Sequence, residues 1–458
     1  MENFWDFNVW GGFNLIAVLL MSLLVANLLK KTFKFLKASL IPTSVLGGGV
    51  LVIIAGIYKA ITGNIMFDTA FFGGNGTAQL EIITYHTLAL GFIASSFTNS
   101  NAKLTKKRAN EIFNTGVTTV ATYLLQGILG MIITIVAAYF VSEFFSAAGL
   151  LLPFGYGQGT GQALNYGGIY ENEFGFAGGK SFGLTIAALG FISASLGGVV
   201  HLNILRKKGK IKPKNIEQNI IRAEEIQSAD ESPMQESVDK MTIQLALIAL
   251  SYFLAYVLMH ILGNLLLNMR SVIFGFNFLL GVLTATLVKT VMNLLKKKKI
   301  IRREHTNKFL MTRVSNFFFD IMVVAGIAAI RFGALEKYWG IIIILGVLGL
   351  LVTYAYNRLV AKTLFKEYSE EQFLAMYGML TGTASTGIIL LREIDGDFET
   401  PVADNLVYQN FPAIVFGFPL MILATLAPVK PILTTIILFA FFVVLNIILF
   451  RSKIFKKK

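Results

Sequence analysis

Eleven stretches of this chain are apolar for close to the length a lipid bilayer demands, and no water-soluble fold can hide that many. They lie at about 9–29, 40–58, 82–98, 112–142, 180–205, 240–262, 271–294, 316–332, 338–357, 404–427 and 431–450. Roughly 20 apolar residues in a helix cross a hydrocarbon core; 82–98 and 316–332 sit at the short end. Only 14% of the 458 residues are charged while 55% are hydrophobic, so the apolar excess must face lipid. Without water to satisfy backbone amides and carbonyls, such segments cross as helices. The expectation is an all-α integral membrane protein.

The net charge of +14 would suit a nucleic-acid binder only if it formed a stripe on a soluble face. Here the basic residues cluster between apolar runs, as in cytoplasmic loops, so no nucleic-acid partner is expected and the lipid bilayer is. The chain has no cysteine, which removes thiolate chemistry and disulfides, and no two of its four histidines are spaced i, i+4. His86 and His201 read as interfacial hydrogen-bonders. The acidic start, Met1 to Asp6, reads as the flank of a retained first span rather than of a cleaved signal. A membrane-embedded transferase would need a polar catalytic cluster, and none stands at a convincing spacing, so neither catalysis nor a cofactor is expected.

Two further segments, about 147–166 and 372–391, are apolar but interrupted by glycine and threonine. If both turn back rather than cross, and the N-terminus is outside, 34 of the 40 basic residues face the cytoplasm. If they cross, Arg206-Lys207-Lys208 or Lys296–Lys299 falls on the wrong side. The charge pattern therefore predicts two re-entrant hairpins entering from opposite faces, with the C-terminus cytoplasmic.

The polar linker 206–239 divides the chain near its middle. Residues 1–205 and 240–427 each read as four spans, one broken hairpin and one span, but begin on opposite sides. The architecture expected is two inverted repeats of five spans plus one re-entrant hairpin each, with an extra C-terminal span and basic tail at 428–458. The hairpins share a short sequence: Tyr156 to Gly161 matches Tyr377 to Gly382 at four of six positions, at a constant offset of 221. Inverted repeats with broken helices near the midplane are a mark of secondary transporters.

Such breaks carry chemistry because unwound backbone is tolerated in a bilayer only where protein or a cavity covers it. Half-helix N-termini present N–H groups to a carboxylate, while freed carbonyls and hydroxyls suit a small cation. The candidate binding residues are therefore Gln158, Gly159, Thr160 and Gly161 in the first hairpin. In the second they are Thr381, Gly382, Thr383, Ser385 and Thr386, with Thr160, Thr381 and Thr383 the candidates for Na⁺. Asp320 is the one carboxylate well placed in an apolar run, and Asn316 shares its face at i−4. Asp320 falls near the start of the run 316–332, so an interfacial acid is an equal reading. Arg392 could meet a substrate carboxylate or answer Glu393, Asp395 and Asp397.

At these residues the chain resembles the bacterial sodium/glutamate symporter family, the ESS family. The likeness rests on Ile41-Pro42, Val45 and Gly47-Gly48, on Gly157 to Gly161, and on Ala187 to Gly198. It continues through Ser315-Asn316, Thr381 to Gly387 and Leu391-Arg392, and spans roughly 10–427. The resemblance implies Na⁺-coupled uptake of glutamate across a bacterial cytoplasmic membrane by a homodimer. Well-known members carry His where this chain has Gln158. The alternatives are a transporter for another organic anion, or a cation/proton antiporter of the same architecture. An antiporter is expected to place two or more acids at mid-span, where this chain offers Asp320.

Overall fold

The computed structural model describes residues 3–98, 105–142, 144–209, 231, 238–301, 303–396 and 399–454. Most of the linker therefore lies outside the described residues. Among them the secondary structure is helical, without a strand. In chain order the helices are α1 (Phe7–Thr32), α2 (Lys34–Ala38), α3 (Thr43–Thr62), α4 (Gly76–Thr98) and α5 (Lys106–Phe140). Then come α6 (Thr160–Phe174), α7 (Gly179–Lys207), α8 (Lys240–Leu265), α9 (Arg270–Gly275), α10 (Asn277–Lys297) and α11 (Lys308–Ala328). The last are α12 (Trp339–Leu364), α13 (Ser369–Thr381), α14 (Ala384–Arg392), α15 (Val402–Tyr408), α16 (Asn410–Leu426), α17 (Pro431–Leu449) and the single turn α18 (Arg451–Ile454).

Among the described residues ten helices are long and apolar enough to cross a membrane. The number is eleven if α15 and α16, bent by 49° ahead of Pro412, form one span. The chain is thus an all-α membrane protein. Several helices extend beyond their apolar runs. The run at 316–332 belongs to a helix that starts eight residues earlier, at Lys308. Asn307 caps it, its side-chain oxygen accepting from the Leu310 amide at 2.7 Å. Lys308 and Arg313 are good helix formers, and their charge hid the first turns from a search for apolar residues. Asp320 is therefore past the middle of α11 rather than near its start.

The chain forms two compact units. One comprises Met1–Thr84, Leu104–Lys212 and Val323–Lys458, the other Tyr85–Lys103 and Pro213–Met322. Each draws on both halves of the sequence, and α4 and α11 supply residues to both. In the smaller unit, Ile93, Ala94, Phe97, Ile248, Ala285, Val288, Met311 and Val314 form one apolar cluster. Polar clasps accompany it: Asn277 donates to the Tyr85 carbonyl at 2.9 Å, and the Ser315 hydroxyl to the Gly91 carbonyl at 2.9 Å. His86 meets the Tyr252 hydroxyl at 2.7 Å, the hydrogen-bonding role expected of it.

In the larger unit α5 is the axis against which both interrupted segments pack. Close backbone approach requires small residues there. A Cβ on Gly149 would lie 2.1 Å from the Gly130 carbonyl carbon and oxygen, so α5 and the first segment touch main chain to main chain. Thr134 locks the contact, donating to the Ser146 carbonyl at 2.6 Å and accepting from the Gly149 amide at 3.1 Å.

Candidate functional site

Both interrupted segments turn back on themselves. The first enters as a 3₁₀ turn, Ser146–Leu150, and a π turn, Pro153–Gly157, breaks at Gln158-Gly159, and leaves as α6. Its arms lie side by side: the rings of Phe154 and Tyr166, six residues either side of Thr160, stack with centroids 3.8 Å apart. Gly159 sits at φ 81°, ψ −171°, a conformation open in practice only to glycine. The second segment is α13, a break at Gly382-Thr383, and α14. Here a Cβ on Gly387 would lie 2.4 Å from the Ala375 carbonyl, and one on Gly378 would lie 2.8 Å from the Gly387 Cα. Each segment is therefore a pair of short helical arms doubled back at its break.

Neighbouring helices pin the arms. Tyr166 and Tyr170 of α6 donate to the Met421 and Ala424 carbonyls of α16 at 3.0 and 2.8 Å. At the start of α13, Glu370 accepts two bonds from Arg358, at 2.5 and 2.7 Å, and one from His201 at 3.0 Å. His201 also meets the Tyr354 hydroxyl at 2.7 Å, so it serves as a hydrogen-bonder here. Glu393 pairs with Arg206 at 3.2 Å. Asp395 accepts from the Glu399 and Thr400 amides and from the Thr400 hydroxyl.

The two breaks meet. Gly190 of α7 lies between them: a Cβ there would be 2.6 Å from the Thr381 carbonyl oxygen and 3.2 Å from the Tyr156 Cα. Gln126 of α5 touches both. Its side-chain nitrogen donates to the Leu380 carbonyl and to the Thr353 hydroxyl, each at 2.9 Å. Its side-chain oxygen would stand 3.3 Å from a Cβ on Gly157. Tyr123 donates to the Gly157 carbonyl at 3.0 Å. The motif tyrosines converge on Ser193, the Tyr156 hydroxyl meeting its hydroxyl and the Tyr377 hydroxyl its carbonyl, both at 2.8 Å. Tyr156 also donates to the Gly346 carbonyl at 2.6 Å.

The candidate residues fall into distinct places around this junction. Thr160 and Thr381 are fully buried, and Gly161, Gly382 and Thr386 are buried. Gln158, Thr383 and Ser385 are half-buried, and Ala384 at the head of α14 is exposed. Thr160 packs against Gly326, where a Cβ would lie 2.7 Å from the Thr160 Cβ. Thr383 and Thr386 place their hydroxyls 3.3 Å apart, and Thr381 donates to the Tyr377 carbonyl at 2.6 Å.

The sequence match between the hairpins does not carry through to their breaks. Thr160 opens α6, whereas Thr381 closes α13. Where the first hairpin has Gln158-Gly159, the second has Met379-Leu380, which favour helix and carry it on to Gly382. The two threonines therefore lie on opposite sides of their breaks, not at equivalent positions. Asn316 and Asp320 are exposed on α11, in residues of the smaller unit.

Several residues that build the junction carry no motif. Along α5, Thr115, Thr119, Thr122 and Gln126 are buried at spacings of four, three and four, one stripe of the helix. Gln372 donates to Thr115 at 3.2 Å, Thr119 meets Gln409 at 2.9 Å, and Asn357 donates to Thr122 at 3.4 Å. That polar period inside the run 112–142, and Thr353 with Asn357 inside 338–357, was a signal available in the sequence.

The charge distribution comes from backbone. The C-terminal end of α13 brings the Leu380 and Thr381 carbonyls to the junction. The first turns of α6 and α14 bring amide groups that have no partner within their helices. Among the described residues no group of three or more His, Cys, Asp or Glu could hold a metal ion. The arrangement offers carbonyl, amide and hydroxyl oxygens to a cation and helix N-termini to an anion. The fold and its broken hairpins thus define a multi-pass membrane protein of the all-α class. No family model matches the chain, and no curated protein matches it.

Proposed function

We propose that this protein is a sodium-coupled secondary transporter, a symporter that imports glutamate or a closely related small carboxylate across the bacterial cytoplasmic membrane. The observation that carries the reading is the meeting of two hairpin breaks on Gln126 and Gly190, deep among apolar helices. Unwound backbone in that setting costs several kcal/mol per unsatisfied group unless it serves a ligand or a cavity. The element order of the second half retraces that of the first, which supports inverted repeats that rock about a fixed site. The likeness of the motif residues to the ESS family supports sodium and glutamate, and with them a homodimer. The basic-residue count supports an external N-terminus and a cytoplasmic C-terminus.

In this reading the N-termini of α6 and α14 take the solute carboxylate, with Gln158, Gly159, Gly161, Gly382, Ser385 and Thr386 shaping the contact. Thr160, Thr381 and Thr383 supply hydroxyls and nearby carbonyls to Na⁺. Coupling follows from charge: a carboxylate beside the carbonyl end of α13 is unfavourable until a cation neutralises that end. Asn316 and Asp320 stand as secondary candidates on α11.

Purified protein in proteoliposomes is expected to accumulate labelled glutamate under an inward Na⁺ gradient, and not under K⁺ or H⁺ gradients alone. Equal uptake driven by a proton gradient without Na⁺ would reject the sodium reading. Uptake of a different carboxylate in place of glutamate would reject the substrate.

A further inference from the structure

We propose that a basic pocket in the smaller unit, between the end of α10 and the segment leading into α11, binds a phosphate group. The inference goes beyond the transport reading and does not rest on it.

One wall is helical. Lys289, Met292, Asn293 and Lys296 recur at spacings of three, one and three, which is one face of α10. A Schellman turn ends the helix, with the Lys299 amide donating to the Lys296 carbonyl and the Ile300 amide to the Leu295 carbonyl, both at 3.0 Å. The chain then returns along that face as 303–306. Gln244 of α8 fastens the return, donating to the His305 carbonyl at 2.8 Å and accepting from the Asn307 amide at 2.9 Å. Arg303, His305 and Thr306 form the second wall, and the pocket, partly open to solvent, has about 300 Å³ of empty space.

The lining selects an anion. Among the described residues it carries three cationic side chains, Lys289, Lys296 and Arg303, against one carboxylate. That carboxylate, Glu304, is engaged, 3.6 Å from the Lys296 ammonium and accepting from the Thr306 hydroxyl at 2.9 Å. Glu231, whose backbone pairs with that of Glu304, gives its carboxylate to Lys240 and Asn307 at 2.7 and 2.6 Å. The helix macrodipole accounts for Lys296 and Lys297 in the last turn of α10. It does not account for half-buried Lys289 two turns earlier. Nor does it account for Lys299 at φ 60°, where glycine would take the turn without strain. A phosphate group spreads its charge over several oxygens and so can meet the Arg303 fork and both lysines together. Lipid headgroups and soluble phosphate share that chemistry, and basic pockets at the ends of membrane helices suit the former.

The test is thermal stability of the purified protein in neutral detergent at constant Na⁺. One arm titrates phosphatidylglycerol against phosphatidylcholine, the other inorganic phosphate against chloride at matched ionic strength. Wild type is expected to gain stability saturably with at least one phosphate probe over its control. Lys289→Gln and Arg303→Gln should each raise the half-saturating concentration of that probe about tenfold. Lys34→Gln and Lys37→Gln, in a second basic cluster on α2, should keep the wild-type response. The readout is the difference between probe and control within each variant, so a variant that is merely less stable still reports. A response to phosphatidylglycerol alone supports the site with a lipid headgroup in it, and a response to inorganic phosphate supports it with a soluble anion. No response in wild type to either probe overturns the proposal, as does an unchanged response in both pocket variants. An equal loss in the α2 variants would show general surface charge and also overturns it.

Discussion

Gly190→Val is expected to abolish transport and to lower thermal stability. A Cβ at this position would stand 2.6 Å from the Thr381 carbonyl oxygen, closer than non-bonded atoms tolerate, and a tight 3.2 Å from the Tyr156 Cα. Both obstacles are backbone, so no rotamer change relieves them. One hairpin break or α7 itself has to shift. Overpacking of this kind costs typically about 1–3 kcal/mol in stability. The functional loss should be far larger, because a displacement near 1 Å can cost on the order of a hundredfold where geometry decides binding. Melting followed by size-exclusion in detergent, beside Na⁺-driven uptake in proteoliposomes, separates the two effects. A variant that transports normally would mean that the spacing of the breaks is irrelevant. Gly12, with open space around its Cα, is the matched control for adding a side chain to a membrane helix.

Thr160→Val and Thr381→Val should each weaken apparent affinity while leaving the fold intact. The two side chains are nearly the same size, so the substitution removes a hydroxyl with little change of packing volume. Both positions are fully buried, which raises the value of any polar contact made there. Loss of one buried interaction is worth roughly 1–3 kcal/mol, or about five- to hundredfold in affinity. The effects should differ in kind. Thr160 heads α6, where the N–H groups face an anion, so Thr160→Val should chiefly raise the substrate concentration needed. Thr381 closes α13, where carbonyls face a cation, so Thr381→Val should chiefly raise the Na⁺ concentration needed. Wild-type values for both ligands in both variants would leave the hairpins as packing elements. Asn316 and Asp320 would then be next to test.

Much of the fold was legible because bilayer physics leaves few options. Apolar runs near 20 residues long are unambiguous, and they return as helices. The glycine and threonine interruptions in 147–166 and 372–391 coincide with segments whose arms double back, as the Phe154–Tyr166 stack and the Gly378–Gly387 contact show. Helix ends were read less well. Apolarity marks the hydrocarbon, whereas helices such as α5 and α11 run on through Lys106-Lys107-Arg108 and Lys308 into polar surroundings.

The site was half legible. Glycine marks the first break, since in practice only glycine adopts φ 81°, ψ −171° at position 159. Sequence alignment of the motifs, however, cannot see where a helix unwinds, and it paired Thr160 with Thr381 across opposite sides of their breaks. Gln126, Thr353, Asn357 and Ser193 escaped notice because a few neutral polar residues on one helix face barely lower the hydropathy of an apolar run. A search for buried-polar periodicity within spans would have found the stripe from Thr115 to Gln126.

The central claim is that the meeting breaks hold the solute, and Ala384 tests it most directly. Ala384 is exposed at the head of α14, and the chain contains no cysteine to confuse the readout. Ala384→Cys should react with a small thiol reagent in the purified protein. Saturating glutamate together with Na⁺ is expected to slow that reaction at least about tenfold, and choline in place of Na⁺ should remove the protection. A labelling rate indifferent to both ligands, in a variant that still transports, would contradict the account.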